Sequence, residues 1–202
     1  MIKHVLLDAD GVMQRVPGGW VAALEPHLGL RAQEFLVAVA EDEQPCLRGG
    51  GDFLEAMGGR LADFGLSGTA RELHRAVWCS VQVEPTSVAL VHALRDAGCA
   101  VHLGTNQEAH RAAYMRDELG YADLFDACFF SCELGAAKPE PDFFCRVLDR
   151  LGCSAPEVLF VDDHEPNVVA ALECGLAAEH WRLDDGPELL RRRLSTYGLT
   201  LA

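Results

Sequence analysis

From Pro85 to the end of the chain, apolar residues alternate between two periods, and this alternation constrains the fold more than any other feature. Val88, Val91 and Leu94 share one helical face, Gly98 follows, and residues 100–103 then read as a short buried strand. The same succession recurs three times. A helix over residues 109–119 stops at Gly120 before a strand near 128–131. Phe144, Val147, Leu148 and Leu151 line one face before Gly152, with a strand at 158–161. A helix over 167–174 stops at Gly175 before a short strand near 178–181. Glycine just past a helix end accepts the left-handed conformation that terminates it. Strands alternating with helices of about 10–15 residues predict βαβ units and a parallel sheet, an α/β fold.

The first strand stands apart from that series. Val5-Leu6-Leu7 reads as a short buried strand ending at Asp8, yet residues 15–84 carry helical patterns without a strand. Phe53, Met57, Leu61 and Phe64 form one stripe. Leu73, Val77 and Val81 form another, entered through Thr69-x-x-Glu72, a capping box. Gly49-Gly50-Gly51 lacks the spacing and Lys of a phosphate-binding loop, so it reads as a turn between two helices. The expected organisation is a core of residues 1–14 and 85–202, interrupted by a helical insertion of residues 15–84. The insertion would attach near Gly18-Gly19 and Glu84-Pro85.

The balance of charge narrows the partners. With 17 Lys plus Arg against 31 Asp plus Glu, the net charge is −14, which argues against nucleic acid or an anionic membrane surface. No run of roughly 18 apolar residues is present, so no membrane span is expected. The N-terminus has no secretory pattern, and a cytoplasmic protein with reduced thiols is expected. The eight cysteines form no C-x-x-C pair, so a structural zinc site is not expected, and most of them read as small buried hydrophobes. The sequence leaves the oligomeric state open.

In an open parallel sheet, ligands bind beyond the carboxyl ends of the strands. There the sequence places Asp8-Ala9-Asp10-Gly11, Gly104-Thr105-Asn106, a loop with Lys138-Pro139, and Asp162-Asp163. Asp8, Asp10 and Asp163 could converge as hard oxygen ligands for Mg²⁺, since packed carboxylates repel one another without a cation. A carboxylate can attack phosphorus to form an aspartyl-phosphate. A hydroxyl, a main-chain N–H and a Lys could then hold the phosphoryl oxygens. Lys138 and Lys3 are the only lysines; the other fifteen basic residues are Arg. Taken singly, each motif also has a structural reading: a solvated turn at Asp8–Gly11, and helix caps at Thr105-Asn106 and Asp162-Asp163. Their order at successive strand ends favours the joint reading.

These residues closely resemble the haloacid dehalogenase superfamily of phosphohydrolases. VLLDADGV resembles its first motif, LGTN its second, the Lys of ELGAAKPEP its third and LFVDDHEPN its fourth. The resemblance implies a Rossmann-like, three-layer α/β/α core under a mobile α-helical cap formed by the insertion. It implies Asp8 as nucleophile and Mg²⁺ ligand. It implies Asp10 as general acid and then base, its main-chain carbonyl on the metal. Thr105 and the Asn106 N–H would bind the phosphoryl group, and Lys138 would neutralise charge. Asp163 would be the principal metal ligand, and Asp162 would act through a water or a hydrogen bond. The implied activity is a Mg²⁺-dependent phosphatase for a small phosphorylated metabolite. Three alternatives remain beside it: a phosphomutase of the β-phosphoglucomutase type, a 2-haloacid dehalogenase, which would lack the acid at Asp10, and a non-enzymatic phosphate sensor or scaffold, which would have lost a motif residue. Trp20 and Arg15 lie just past the first motif, where substrate contact and cap packing are both open.

Overall fold

The structure, a computed structural model, describes residues 1–201. The chain enters through β1 (His4–Leu7) and makes a two-residue strand β2 (Gln14–Arg15). Four helices follow: α1 (Gly19–Leu28), α2 (Ala32–Cys46), α3 (Phe53–Leu61) and α4 (Ala70–Val77). β3 (Gln82–Val83) pairs antiparallel with β2. The remainder alternates: α5 (Pro85–Asp96), β4 (Ala100–Thr105), α6 (Ala109–Asp117), α7 (Tyr121–Leu124), β5 (Ala127–Phe130), α8 (Ser131–Leu134), α9 (Pro141–Leu151), β6 (Val158–Asp162), α10 (Glu165–Glu173), β7 (Ala177–His180) and α11 (Pro187–Thr196).

Five strands form one parallel sheet in the order β5-β4-β1-β6-β7. β1 is central, with Leu7 in register with Leu103 of β4 and with Val161 of β6. Side-chain alternation divides the core into two layers. Val5 and Leu7 join Val101, Leu103 and Val161 on the face covered by α5, α6 and α11. Leu6 joins Phe129, Val158 and Phe160 on the face covered by α9 and α10. The result is a Rossmann-like three-layer α/β/α core. Gly104 lets β4 lie this close to β1, because a Cβ there would stand 2.8 Å from Leu6 Cδ1.

The helices between β2 and β3 bury their apolar faces in a third cluster that includes Leu24, Phe35, Val39, Phe53, Met57 and Val77. The capping box forms as the spacing predicts. Thr69 Oγ1 accepts from Glu72 N at 3.2 Å, and Glu72 Oε2 accepts from Thr69 N at 2.8 Å, a pairing worth about 1 kcal/mol. Gly49-Gly50-Gly51 is the turn between α2 and α3, with positive φ at Gly49 and Gly51.

Two expectations need correction. Residues 15–84 are not strand-free: Arg15 pairs with Gln82 in the β2–β3 ribbon, where the chain enters and leaves the helical segment. Two-residue strands carry no readable period, so the pattern could not reveal them. The cysteines are also less buried than expected. Cys46, Cys79 and Cys99 are buried, four are half-buried and Cys145 is exposed. Among the described residues, no helix is long and apolar enough to cross a membrane.

Candidate active site

The carboxyl ends of β1, β4 and β6 open into one cavity of about 360 Å³. Asp8, Asp10, Thr105, Asn106, Lys138 and Asp163 all line it, whereas Asp162 lies fully buried behind it. The backbone explains the convergence. Asp8 continues β1, its N–H donating to Val161 O at 3.0 Å. Thr105 ends β4 and Asp162 ends β6. Gly11 has φ +79°, and a Cβ there would overlap the Asp163 carboxylate. The tight turn after Asp10 thus needs glycine twice over, for conformation and for space.

Lys138 is the electrostatic centre. Its Nζ lies 2.8 Å from Asp8 Oδ1 and 2.6 Å from Asp162 Oδ2. Asn106 holds the Lys138 backbone in a reciprocal pair: Lys138 N donates to Asn106 Oδ1 and Asn106 Nδ2 donates to Lys138 O, both at 2.8 Å. The Lys138–Pro139 peptide is cis. Although burial disfavours its charge, Asp162 and Asp8 hold the Lys138 ammonium above its ordinary pKa. Asp162 is occupied on both oxygens by Lys138, Asn167 Nδ2 and His164 N–H.

Carboxylate oxygens of Asp8, Asp162 and Asp163 lie within 4.8 Å of one another. Three acids face one ammonium. Burial, opposed by Lys138 and reinforced by Asp162 and Asp10, pushes the Asp8 carboxyl up to about 7. Burial and Asp162 also raise Asp163. A cluster of hard oxygen donors with uncompensated negative charge fits a divalent cation such as Mg²⁺.

Asp10 stands apart from this cluster. Its carboxylate is gripped by Arg111, Nη1 to Oδ2 at 2.6 Å and Nη2 to Oδ1 at 2.8 Å, and accepts from Gln14 Nε2 at 3.0 Å and Gln107 Nε2 at 3.1 Å. Burial pushes its pKa up, but the Arg111 charge and these hydrogen bonds hold it below the ordinary carboxylate value. Gln107 Nε2 also donates to Thr105 Oγ1 at 3.1 Å, linking the second strand end to Asp10.

Sequence reasoning missed Arg111, Gln107 and Gln14. A signal existed for Arg111: Arg111, Ala112 and Met115 share the buried face of α6, so an Arg falls on the side the helix turns to the core. Trp20 lines the cavity and packs against Trp78 at 6.0 Å between ring centroids. Arg15 also lines it, but its guanidinium is bonded to Asp184 at 3.2 Å and Glu84 at 3.4 Å. His164 is exposed at the start of α10.

The helical segment meets the core around this cavity. His74 Nε2 lies 2.8 Å from Glu108 Oε1, His110 Nε2 lies 3.0 Å from Asp52 Oδ1, and Arg75 pairs with Glu118. Arg48 pairs with Glu140, and Arg111 Nε donates to Trp78 O at 2.8 Å.

Acids cluster at the carboxyl edge of the parallel sheet, and a helical insertion follows its first strand. The haloacid dehalogenase-like hydrolase family matches residues 2–175, and the chain belongs to that family. It is 37% identical over 91 residues to the sesquiterpene phosphatase astK of Aspergillus oryzae, covering 45% of this chain and 46% of that protein. It is 28% identical over 187 residues to a phosphoglycolate phosphatase of Yersinia pseudotuberculosis, covering 86% of this chain and 78% of that protein. A HAD family enzyme from Bacteroides thetaiotaomicron, in complex with magnesium and inorganic phosphate, superposes with a TM-score of 0.78 at 21% identity, covering 95% and 100% of the two chains. That likeness establishes the fold. The first of these relatives is about twice as long as the segment it shares with this chain.

Proposed function

We propose that the protein is a Mg²⁺-dependent phosphatase that releases orthophosphate from a small phosphorylated metabolite. One observation carries this reading: the cavity places Asp8 beside Lys138 at its base and a second acid, Asp10, two residues on. A dehalogenase has no leaving oxygen to protonate and no use for that second acid.

An Asp8 oxygen attacks phosphorus, the P–O bond to the leaving group breaks, and protonated Asp10 gives its proton to the leaving oxygen. Water then attacks the aspartyl-phosphate, Asp10 takes its proton, and the P–O bond to Asp8 breaks to free phosphate. Thr105 and the Asn106 N–H hold phosphoryl oxygens, and Lys138 offsets the charge of Asp8 and phosphate. Asp8, Asp163 and the Asp10 carbonyl would hold Mg²⁺, with Asp162 behind them. The ion would supply charge stabilisation for the phosphoryl oxygens. Arg111 favours the ionised form of Asp10, which suits the base step. The proton for the acid step requires a substrate that loosens that grip.

In this reading residues 1–14 and 85–202 are the catalytic core, and residues 15–84 are a cap pivoting at the β2–β3 ribbon. Closure would bring the cap over the cavity and exclude bulk water. The composition supports placing the protein in the cytoplasm. The test is phosphate release from p-nitrophenyl phosphate and a panel of phosphorylated metabolites, with Mg²⁺ and with a chelator. Metal-dependent release is expected. No release by folded protein would overturn the reading, and a bisphosphorylated sugar accumulating without free phosphate would replace it with a mutase.

A further inference from the structure

A second cavity of about 360 Å³ lies between the cap and Asp10. It shares Asp10, Trp20 and Asn106 with the first, so the two are continuous past the acid. A leaving group bound with its phosphoryl at Asp8 would extend into it. Its walls are mostly apolar: Trp20, Leu36, Ala40, Leu47 and Trp78.

Two charged side chains besides Asp10 face this space. Arg111 is fully engaged. It grips both Asp10 oxygens, donates to Trp78 O and Gln107 Oε1, and lies 4.9 Å from the Trp20 ring centroid. Glu43 is not. Leu36, Ala40 and Glu43 of α2, with Leu47 just past its end, follow one another at helical spacing, so a carboxylate interrupts an apolar stripe. Among the described residues its carboxyl has no hydrogen-bond or ion-pair partner. Arg111 gives its hydrogen bonds to Asp10, Gln107 and Trp78, which leaves Glu43 as the carboxyl of the pocket wall that no donor holds. The carboxyl is half-buried in the pocket wall, where a donor carried by a ligand could pair with it.

We infer that this pocket selects a phosphomonoester whose leaving group has an apolar body ending in a hydroxyl or ammonium that donates to Glu43, and rejects leaving groups that carry a carboxylate. This rests on the proposed phosphatase reading for the identity of the phosphoryl end. Burial pushes the Glu43 carboxyl up to about 7, with Arg111 opposing and Glu108 and Asp10 adding to the rise, so the protein's own groups do little to stabilise its charge. A donor from the ligand would stabilise it, and a second anion would face Glu43 with every nearby guanidinium already taken. The apolar walls and the pair of Trp rings favour a body of aliphatic or aromatic carbon.

The test uses alkylphosphonates of one chain length ending in methyl, hydroxyl, ammonium or carboxylate, with Kd measured by calorimetry in Mg²⁺. Phosphate release is followed separately from the corresponding alkyl phosphates. The ammonium and hydroxyl ends are expected to bind at least about tenfold more tightly than the carboxylate end, the size of a charge-assisted hydrogen bond. Glu43→Gln should shrink the ammonium-to-carboxylate ratio by about tenfold, whereas a merely structural role would weaken all four ligands in parallel. A flat ranking in the unmodified protein, parallel loss in Glu43→Gln, or no binding at all overturns the inference. The unmodified protein's ranking decides the matter even if Glu43→Gln fails to fold. The expected ranking without phosphate release from any ester would overturn the phosphatase reading and leave the pocket standing. Release with a flat ranking would do the reverse.

Discussion

Arg111 closes a bidentate pair on Asp10, with both guanidinium Nη atoms within 2.8 Å of a carboxylate oxygen. The pair joins α6 of the core to the turn after β1, and the same guanidinium reaches the cap through Trp78 O. One buried side chain thus orients the second acid of the site and ties the cap to the core.

Replacing that side chain should therefore act on stability and chemistry together. Arg111→Met strands Asp10 and leaves Glu43 without a nearby cation. A loss of about 3 kcal/mol is expected, at the low end for breaking a buried pair because the Asp10 carboxyl still reaches solvent. Urea unfolding of the two proteins measures it. A change within about 0.5 kcal/mol, the range of an ordinary surface substitution, would show that the pair does not stabilise the fold.

Asp8→Asn should abolish phosphate release, because an amide cannot form the acyl-phosphate. The protein should stay folded, since removing one acid relieves repulsion within the Asp8, Asp162 and Asp163 cluster. Circular dichroism and a phosphate-release assay on one preparation separate the two effects. Substantial hydrolysis by folded Asp8→Asn would refute the nucleophile.

Asp10→Asn should slow turnover by roughly 10²–10⁴-fold through lost acid–base catalysis. The phosphorylation step should suffer less with p-nitrophenyl phosphate, whose leaving group needs little protonation, than with an alkyl phosphate. Equal loss for both in single-turnover measurements would remove Asp10 from the acid role.

The two acids after β6 should differ toward metal. Asp163 lines the cavity and is half-buried, whereas Asp162 is wholly buried and bonded to Lys138, Asn167 and the His164 N–H. Asp163→Ala should raise the Mg²⁺ concentration needed for half-maximal activity by about tenfold or more, as expected for loss of a charged oxygen ligand. Asp162→Ala should act chiefly by lowering the melting temperature, because it removes one of the two carboxylates that hold the buried Lys138 ammonium and leaves Asn167 without its acceptor. A Mg²⁺ titration and a melting curve for each variant give the comparison. Equal Mg²⁺ shifts would defeat the distinction.

Gly11→Ala should mimic the Asp163 variant without touching a carboxylate. The added Cβ would collide with Asp163, and φ +79° would strain any residue with a side chain. A raised Mg²⁺ requirement is expected. An unchanged requirement would mean that Asp163 can move aside without cost to the site.

Much of this architecture was legible in residue order. Helical stripes closed by Gly98, Gly120, Gly152 and Gly175 announced the βα units, because helix period and helix stop are local properties of the chain. The polar residues after the strands marked where a cavity would open, since a parallel sheet delivers successive strand ends to one edge. Which strands are neighbours was not local. β1 lies between β4 and β6, where Gly104 leaves room for Leu6 and an apolar layer closes over each face. Only tertiary packing tied Asp10 to Arg111 across 101 positions and set Glu43 of α2 in the same cavity. Such contacts depend on how a cap helix meets a sheet edge, and no period or spacing within a single segment encodes that meeting. The residue types and their order were therefore written locally, whereas the pairing of charges across the cap and core was decided by the fold.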